Sequence, residues 1–490
     1  MKHVKPSSKA PLGVVILLGC IVSSSAFAGI LIGPNINVTQ APNTQAEQAV
    51  TIDRANPNNI FIAANGSGGY GDHLASARST DGGGNKPNSW LRGEYANGAD
   101  NLDPACCDPS LASDTFGNLY TAYLNNSNPL QVIVGISADH GQTWTNLANF
   151  GGGDEPTIVV GPGKSAGEQS VWVTWNNTDT GYLMTANATV TNLGLSPFST
   201  PQEVPDSYGE SLGDIAIGPG GKVAVAHQYS YNYSDQGPND PINININPDG
   251  IGGAFGAPVV ATLTNVGAYD FLPAQPNRTV DAEAGLAWNL NTNRLFLVYT
   301  DENPDESNDT DIMLRYSDDD GQHWSDSRRI NDDKTHCSQF LPKIALDSVT
   351  GNLAIVWYDA RNDQGSSSDG QCDGIDANEE VELWGTLSLD GGLSFVPNFK
   401  ISEGKSSALI AAQVTDNNDP GFDFGDYIGL DFFDNVVHAV WADNSNSTGD
   451  NPLLTFDAYT ARIDIVAEPT TFALLSLGLL GIGFGKRHRN

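Results

Sequence analysis

Basic residues are scarce in this chain of 490 residues: 23 Lys and Arg stand against 58 Asp and Glu, a formal net charge of −35. So acidic a surface repels phosphate backbones and anionic lipid, which argues against nucleic-acid partners and favours cations. Long apolar runs are missing from the body of the chain and survive only at its ends, Leu12 to Val22 and Phe472 to Gly485. The second is 14 residues long, where a bilayer-spanning helix needs about 20. There is no P-loop, no His-Glu-x-x-His and no Ser-His-Asp order, and the eight histidines are scattered. Nucleotide, zinc-peptidase and serine-hydrolase chemistry therefore lack their signatures.

Cysteine is also sparse. Outside Cys20 there are Cys106, Cys107, Cys337 and Cys372, an even set that reads as disulfides in an oxidising compartment. Their connectivity stays open: Cys106 and Cys107 can join each other or the two distant partners.

The two ends predict that compartment. Lys2, Lys5 and Lys9, the apolar run and Ala26-Phe27-Ala28 before Gly29 have the order of a secretory signal, so residues 1–28 are expected to be removed. Leu17-Leu18-Gly19-Cys20 is a looser match to a lipoprotein signal. At the other end Glu468-Pro469, the apolar run and Lys486-Arg487-His488-Arg489 follow one another. This order resembles the PEP-CTERM sorting signal of Gram-negative bacteria, with Ala467 where that family usually has proline. The resemblance implies processing by an exosortase, transient membrane anchoring through residues 466–490, and delivery to the cell surface or extracellular matrix. A plain C-terminal anchor is the alternative, and it too places the body outside the cytoplasm. Residues 29–469 carry 17 Lys and Arg against 58 Asp and Glu, a formal charge of −41.

With 53 glycines, 27 prolines and many short alternating runs, the chain reads as all-β. It is also periodic. Ser137-x-Asp139-x-Gly141-x-Thr143-Trp144, Ser317-x-Asp319-x-Gly321-x-His323-Trp324 and Ser388-x-Asp390-x-Gly392-x-Ser394-Phe395 are three copies of one turn. Ser79-x-Asp81-x-Gly83 reaches its Trp90 after an insertion, and Asp249 to Phe255 is a decayed fifth copy. In such a turn the aspartate accepts from loop amides, the glycine takes a left-handed backbone, and the aromatic plugs the core. The turns resemble the Asp boxes, or BNR repeats, of sialidase-like β-propellers.

A second repeated string, an alternating strand ending in an aromatic and then a polar residue, occurs at 121–125, 173–177, 297–301, 355–359 and 439–443. Weaker copies lie near Ile62 and Val225. Together they mark seven units starting near residues 45, 106, 154, 210, 281, 340 and 426, each the length of a four-stranded propeller blade. The last unit supplies three strands, and residues 30–40 form a strand with no unit of its own. The predicted fold is therefore an all-β propeller over residues 29–465, closed by its N-terminal strand, with six blades as the alternative count.

In a propeller the starts of the innermost strands and the ends of the second strands share one face, and the Asp-box turns lie on the other. Before the inner strands stand Glu47, Asp108, Glu155, Asp281, Glu283 and Asp426; after the second strands stand Asn125, Asn177, Asp301, Glu302, Asp359 and Asp443. Converging carboxylates raise one another's pKa or recruit a hard cation, so Asp108, Glu155, Asp281 and Asp426 are candidate Ca²⁺ ligands. The acidic stretches Asp363 to Glu380 and Asp416 to Asp426 are further calcium candidates without EF-hand spacing. Resemblance to sialidases implies a three-arginine clamp, a tyrosine nucleophile with a glutamate partner, and an aspartate acid/base. The Phe/Tyr-Arg-Ile-Pro segment of that family is absent, and only Arg361 and Arg278 can be placed on the channel face, so sialidase activity is not expected. Asp359, Arg361, Asp301, Asp426 and Tyr427 are the candidate catalytic residues. The sequence reading is a non-catalytic surface protein that binds polysaccharide or another protein; a glycoside hydrolase of sialidase-like fold is the alternative.

Overall fold

The alternating runs become antiparallel strands, and the order of pairing repeats seven times. In the computed structural model the described residues are Met1 and 29–466, apart from 42, 67–71, 85, 230–239, 268–269, 303–307, 368 and 415–421. The signal and sorting segments thus lie outside the described residues, and among those described no helix is long and apolar enough to cross a membrane. Leu31–Asp464 forms one compact unit. Of the separate unit formed by the two ends, Gly29, Ile30, Ile465 and Val466 are described as strand.

Each blade runs from its inner strand outward. Blade 1 is Ala49–Ile52, Ile60–Asn65, Leu74–Ser79 and Leu91–Tyr95; blade 2 is Ala105–Ser113, Leu119–Asn125, Gln131–Ser137 and Thr145–Gly151. Blade 3 is Asp154–Pro162, Gln169–Asn176 and Leu183–Thr191, with an outer edge in two pieces, Gly194–Leu195 and Gln202–Glu203. Blade 4 is Glu210–Ile217, Val223–Tyr229, Asp240–Asn247 and Val259–Thr264. Blade 5 is Gly285–Trp288, Leu295–Glu302, Thr310–Ser317 and Arg328–Arg329; blade 6 is Gln339–Leu346, Leu353–Asp359, Glu382–Ser388 and Phe399–Lys400. Blade 7 has only three strands of its own, Gly429–Phe433, Val436–Asp443 and Asp457–Val466. Its outer edge comes from the N-terminal segment in two pieces, Gly29–Ile32 and Ile36–Asn37, the second paired as Ile36 with Thr460 and Asn37 with Tyr459. The propeller therefore has seven blades, and the N-terminal segment closes the ring by covering the edge of Asp457–Val466.

Second strands are sandwiched between neighbouring blades, so Leu119–Asn125 and Leu353–Asp359 are buried at every position. This is why they read as nearly continuous apolar runs. The repeated turn ends the third strand and joins adjacent blades. Ser137 Oγ donates to Asp139 Oδ1 at 2.9 Å and accepts from Gly141 N at 2.8 Å, while Thr143 N donates to Asp139 Oδ1 at 2.8 Å. The turns at Ser317, Asp319 and Gly321 and at Ser388, Asp390 and Gly392 repeat the first two bonds within 0.1 Å. Gly141 has φ of +79°, and a Cβ there would lie 2.3 Å from Phe61, so both backbone and packing require glycine. Trp144 then packs against Phe61 and Tyr95 of blade 1, at ring distances of 5.3 and 5.4 Å. In the decayed copy Asn247 takes the serine place, and Phe255 packs on Trp172 of blade 3. Trp324, expected to be buried between blades, is only partly so: it lies against the core of blades 4 and 5 with its indole N–H on Gly321 O. Phe395 is likewise partly buried, against the blade 5 and 6 core.

Candidate functional site

Inner strands place their first residues around one end of the axis, and there the backbone does something unusual in blade after blade. Glu47, Asp108, Glu155, Glu283 and Leu341 all have left-handed φ between 45° and 58°. In blades 2, 3 and 6 the pairing to the second strand slips at this point. For a side chain other than glycine that conformation costs roughly 1–2 kcal/mol. Repetition of the cost at four acidic residues marks the place as a site. Each bulge turns its side chain to the axis, where these residues line a cavity of about 1060 Å³.

All six acids expected before the inner strands, Glu47, Asp108, Glu155, Asp281, Glu283 and Asp426, line that cavity. Asp154, Asp214, Lys343, Arg278, Tyr427 and Cys106–Cys107 join them. A network links the blades: Asn65 donates to Glu47 and accepts from Asp108 N at 2.9 Å, and Glu155 N donates to Asp108 Oδ2 at 3.4 Å. Asn176 Nδ2 donates to Glu155 Oε2 at 2.8 Å and its Oδ1 accepts from Leu212 N at 2.9 Å.

Crowding changes the protonation of these acids. Burial pushes the Asp108 carboxyl well above the usual carboxylate range, and the charges of Glu47, Asp154 and Glu155 push it further. Glu155 is raised well above its ordinary value by burial and by Asp154 and Asp281, against the pull of Asn176. Burial, then Asp281, raises Glu283 well above its range, with Lys343 opposing, and burial lifts Asp281 to about 6. Several cavity carboxyls therefore hold their protons to higher pH than an ordinary carboxyl does.

One cation stands among them on a scaffold of its own. The hairpin Asp270–Leu272 and Gln275–Val280, inserted between blades 4 and 5, is pinned to the segment before blade 7: Asp423 accepts from Asn277 N and Arg278 N at 2.7 and 2.9 Å. This holds the Arg278 guanidinium over the Phe422 ring, with Nη2 2.9 Å from Glu47 Oε1 and Nε 2.9 Å from Asp426 Oδ1. Tyr427 lies beneath, its hydroxyl donating to Pro109 O at 3.4 Å. Burial, with the charges of Asp108, Glu47, Glu155 and Glu283, raises its pKa well above the ordinary phenol value. A phenol so placed stays neutral, which makes it a poor nucleophile.

The acids expected after the second strands have another occupation. Asp359 accepts from Trp357 Nε1, Arg361 N and Arg361 Nε at 2.7–2.9 Å. Arg361 also reaches Asp332 at 3.0 Å and stacks on Trp384. Asp443 repeats the motif, accepting from Trp441 Nε1 and Ser445 N. Asp301 accepts from Asn265 N and Glu302 N at 2.9 and 3.0 Å. Asn125 and Asn177 cap their own loops. Asp359, Arg361 and Asp301 are thus engaged in holding loops, outside the cavity lining, because a strand-ending aspartate two residues after an aromatic turns back to that ring or to the next amides.

Of the residues offered for calcium, Asp108, Glu155, Asp281 and Asp426 all line the cavity, and Asp426 is also paired with Arg278. Among the described residues no group of three or more His, Cys, Asp or Glu is arranged to hold a metal ion. Asp363 accepts from Glu379 N and Glu380 N, a loop-capping role. The cysteines join as Cys106–Cys107 and Cys337–Cys372, one of the pairings open from the sequence.

Asp154 and Lys343 escaped the sequence reading. Aligning Asp108-Pro109-Ser110 and Glu155-Pro156-Thr157 with Leu341-Pro342-Lys343 finds Lys343. The reach of Arg278 carried no local signal, since it depends on the docking of an inserted hairpin.

No family model matches this chain, and no curated protein matches it. Among solved structures it is similar to a protein of unknown function from Dyadobacter fermentans, at 11% identity over 89% of this chain and 99% of that one, TM-score 0.48. It is similar to the endosialidase of phage phi92, at 13% identity over 90% of this chain and 70% of that one, TM-score 0.44. A third is the Penicillium chrysogenum alpha-L-arabinanase complexed with arabinobiose, at 12% identity, 67% and 94% coverage and TM-score 0.41. Likenesses this distant leave the chemistry to be argued from the site's own residues.

Proposed function

We propose that the central cavity is the active site of a glycoside hydrolase, the reading that ranked second on sequence alone. One observation carries it: carboxyls pushed well above the ordinary carboxylate range by burial and crowding, Asp108 and Glu155, share a cavity with a carboxylate, Asp426, that is ion-paired with Arg278. Hydrolysis of a glycosidic bond needs such a division, one carboxyl to protonate the leaving oxygen and one carboxylate to act at the sugar carbon or on water. In this reading Asp108 is the acid, Asp426 the carboxylate, and Arg278 and Asn176 are positioning residues. The substrate is a neutral sugar, because Arg278 already has two acidic partners. The turns' likeness to Asp boxes agrees with a sialidase-like propeller without its three-arginine clamp.

The reading is tested by reducing-sugar release from arabinan, xylan, galactan and mixed-linkage β-glucan. Wild type should cleave at least one, Asp108→Asn should lose on the order of 10²-fold or more in kcat, and Lys222→Ala, on the opposite face, should match wild type. Turnover by Asp108→Asn at the wild-type rate would overturn it. A non-catalytic binding protein is the second reading, favoured by the way Asn65 bridges Glu47 and the Asp108 backbone, since polar groups held by one another serve recognition as well as catalysis. Retention on a glycan array without hydrolysis would select it. Repeating the assay with chelator and with added Ca²⁺ tests the calcium expectation. We also propose export with loss of residues 1–28 and surface sorting through residues 466–490; a mature protein from its host still beginning at Met1 would contradict this.

A further inference from the structure

Two tyrosines outside the cavity lining stand on loops that lead into the acid network of blades 3 and 4. Tyr182 ends the loop after the second strand of blade 3, where Asn177 N donates to Tyr182 O at 2.9 Å. The preceding Asn176 is the residue that joins Glu155 to Leu212. Tyr208 lies just before the inner strand of blade 4, whose residues Leu212 to Asp214 line the cavity. The rings pack at 5.2 Å and 60°, and Gly209 N donates to Gly181 O at 2.8 Å, tying the two loops together. Gly181, with φ of +75°, lets them approach: a Cβ there would stand 3.0 Å from the Tyr208 ring. Despite these supports Tyr208 is 61% exposed.

An aromatic ring held rigidly yet left in water, on a loop that leads into a cavity, offers a flat apolar face at little entropic cost. The face of a pyranose or furanose ring, with its C–H bonds, fits it, and the hydroxyl edge stays solvated. Building on the hydrolase reading, we propose that the Tyr182–Tyr208 pair is a sugar-stacking subsite outside the cavity, so that the substrate is a polysaccharide lying from the acid cavity across the rim between blades 3 and 4. The continuity of both loops with Asn176 and Asp214 favours a glycan chain over an unrelated partner, because the same chain can occupy both places.

The experiment uses the full chain, the four polysaccharides above and a disaccharide of each linkage, with Tyr208→Ala and Tyr208→Trp. For the polysaccharide that wild type cleaves, Tyr208→Ala should raise KM about tenfold, the worth of one aromatic contact. It should leave kcat, the disaccharide KM and the melting temperature unchanged, and Tyr208→Trp should restore KM. An equal KM for wild type and Tyr208→Ala on the polymer overturns the subsite while leaving the hydrolase reading intact. Should wild type cleave none of the four, the hydrolase reading fails by itself, and affinity electrophoresis in gels of the same polysaccharides decides the subsite. Retardation of wild type but not of Tyr208→Ala supports it; equal migration, or no retardation of wild type in any gel, overturns it.

Discussion

A carboxyl whose folded pKa is raised stabilises the protein only while it is protonated. Asp281, held at about 6 by burial against 3.8 in an unfolded chain, contributes fully below pH 3.8, and that contribution is lost as pH rises through 6. Asp108, Glu155 and Glu283 are shifted the same way. His438 has the opposite sign: buried, with Arg462 nearby, it is lowered to about 3, so the unfolded chain takes up its proton first and stability falls as pH drops below 6.5. Asp281→Asn should therefore raise the melting temperature at pH 8, by up to about 3 kcal/mol in stability, and change it little at pH 4. Thermal melts of both proteins across that range would show it; a variant whose difference from wild type does not depend on pH would not fit. Asp108, one of the acids that cost stability, is the acid of the proposed reaction.

At the scale of the element, the repeated turn and the inner-strand bulge use the same left-handed backbone for different ends. The turn places glycine there because a neighbouring blade's ring fills the space, as Phe61 does at Gly141. In blades 2 and 3 the bulge places an acid there, Asp108 and Glu155, because its side chain belongs in the cavity. Trp144→Ala removes a ring that is 3% exposed and should cost about 3–5 kcal/mol, measured by denaturant unfolding. Trp324→Ala, at a partly buried ring, should cost clearly less. Equal losses would mean that the two turns pack alike, contrary to the structure.

For the whole molecule the decisive junction is the one that joins its first strand to its last blade. Val38 is fully buried and donates from its amide to Ala458 O at 2.8 Å, and Asn37 Nδ2 reaches Asp457 Oδ2 at 2.6 Å. Deleting residues 29–40 should lower the melting temperature and expose the edge of Asp457–Val466, so that the variant associates as concentration rises. Sedimentation of the deletion protein as a monomer with unchanged stability would contradict this closure.

The seven units, their boundaries and the borrowed strand were legible in the sequence because each blade must bury the same faces and end its third strand in the same way. That repetition prints a local pattern in residues such as Ser137, Asp139 and Trp144. The six acids before the inner strands were legible for the same reason, since strand order alone puts them at one end of the axis. Which acids face the cavity and which hold loops was decided only by the tertiary structure. Asp359 and Asp426 each sit beside a strand end, yet one is claimed by Trp357 and Arg361 and the other by Arg278. That outcome turns on an inserted hairpin and on side chains from distant blades, and no local pattern records where a docked segment will deliver its charge.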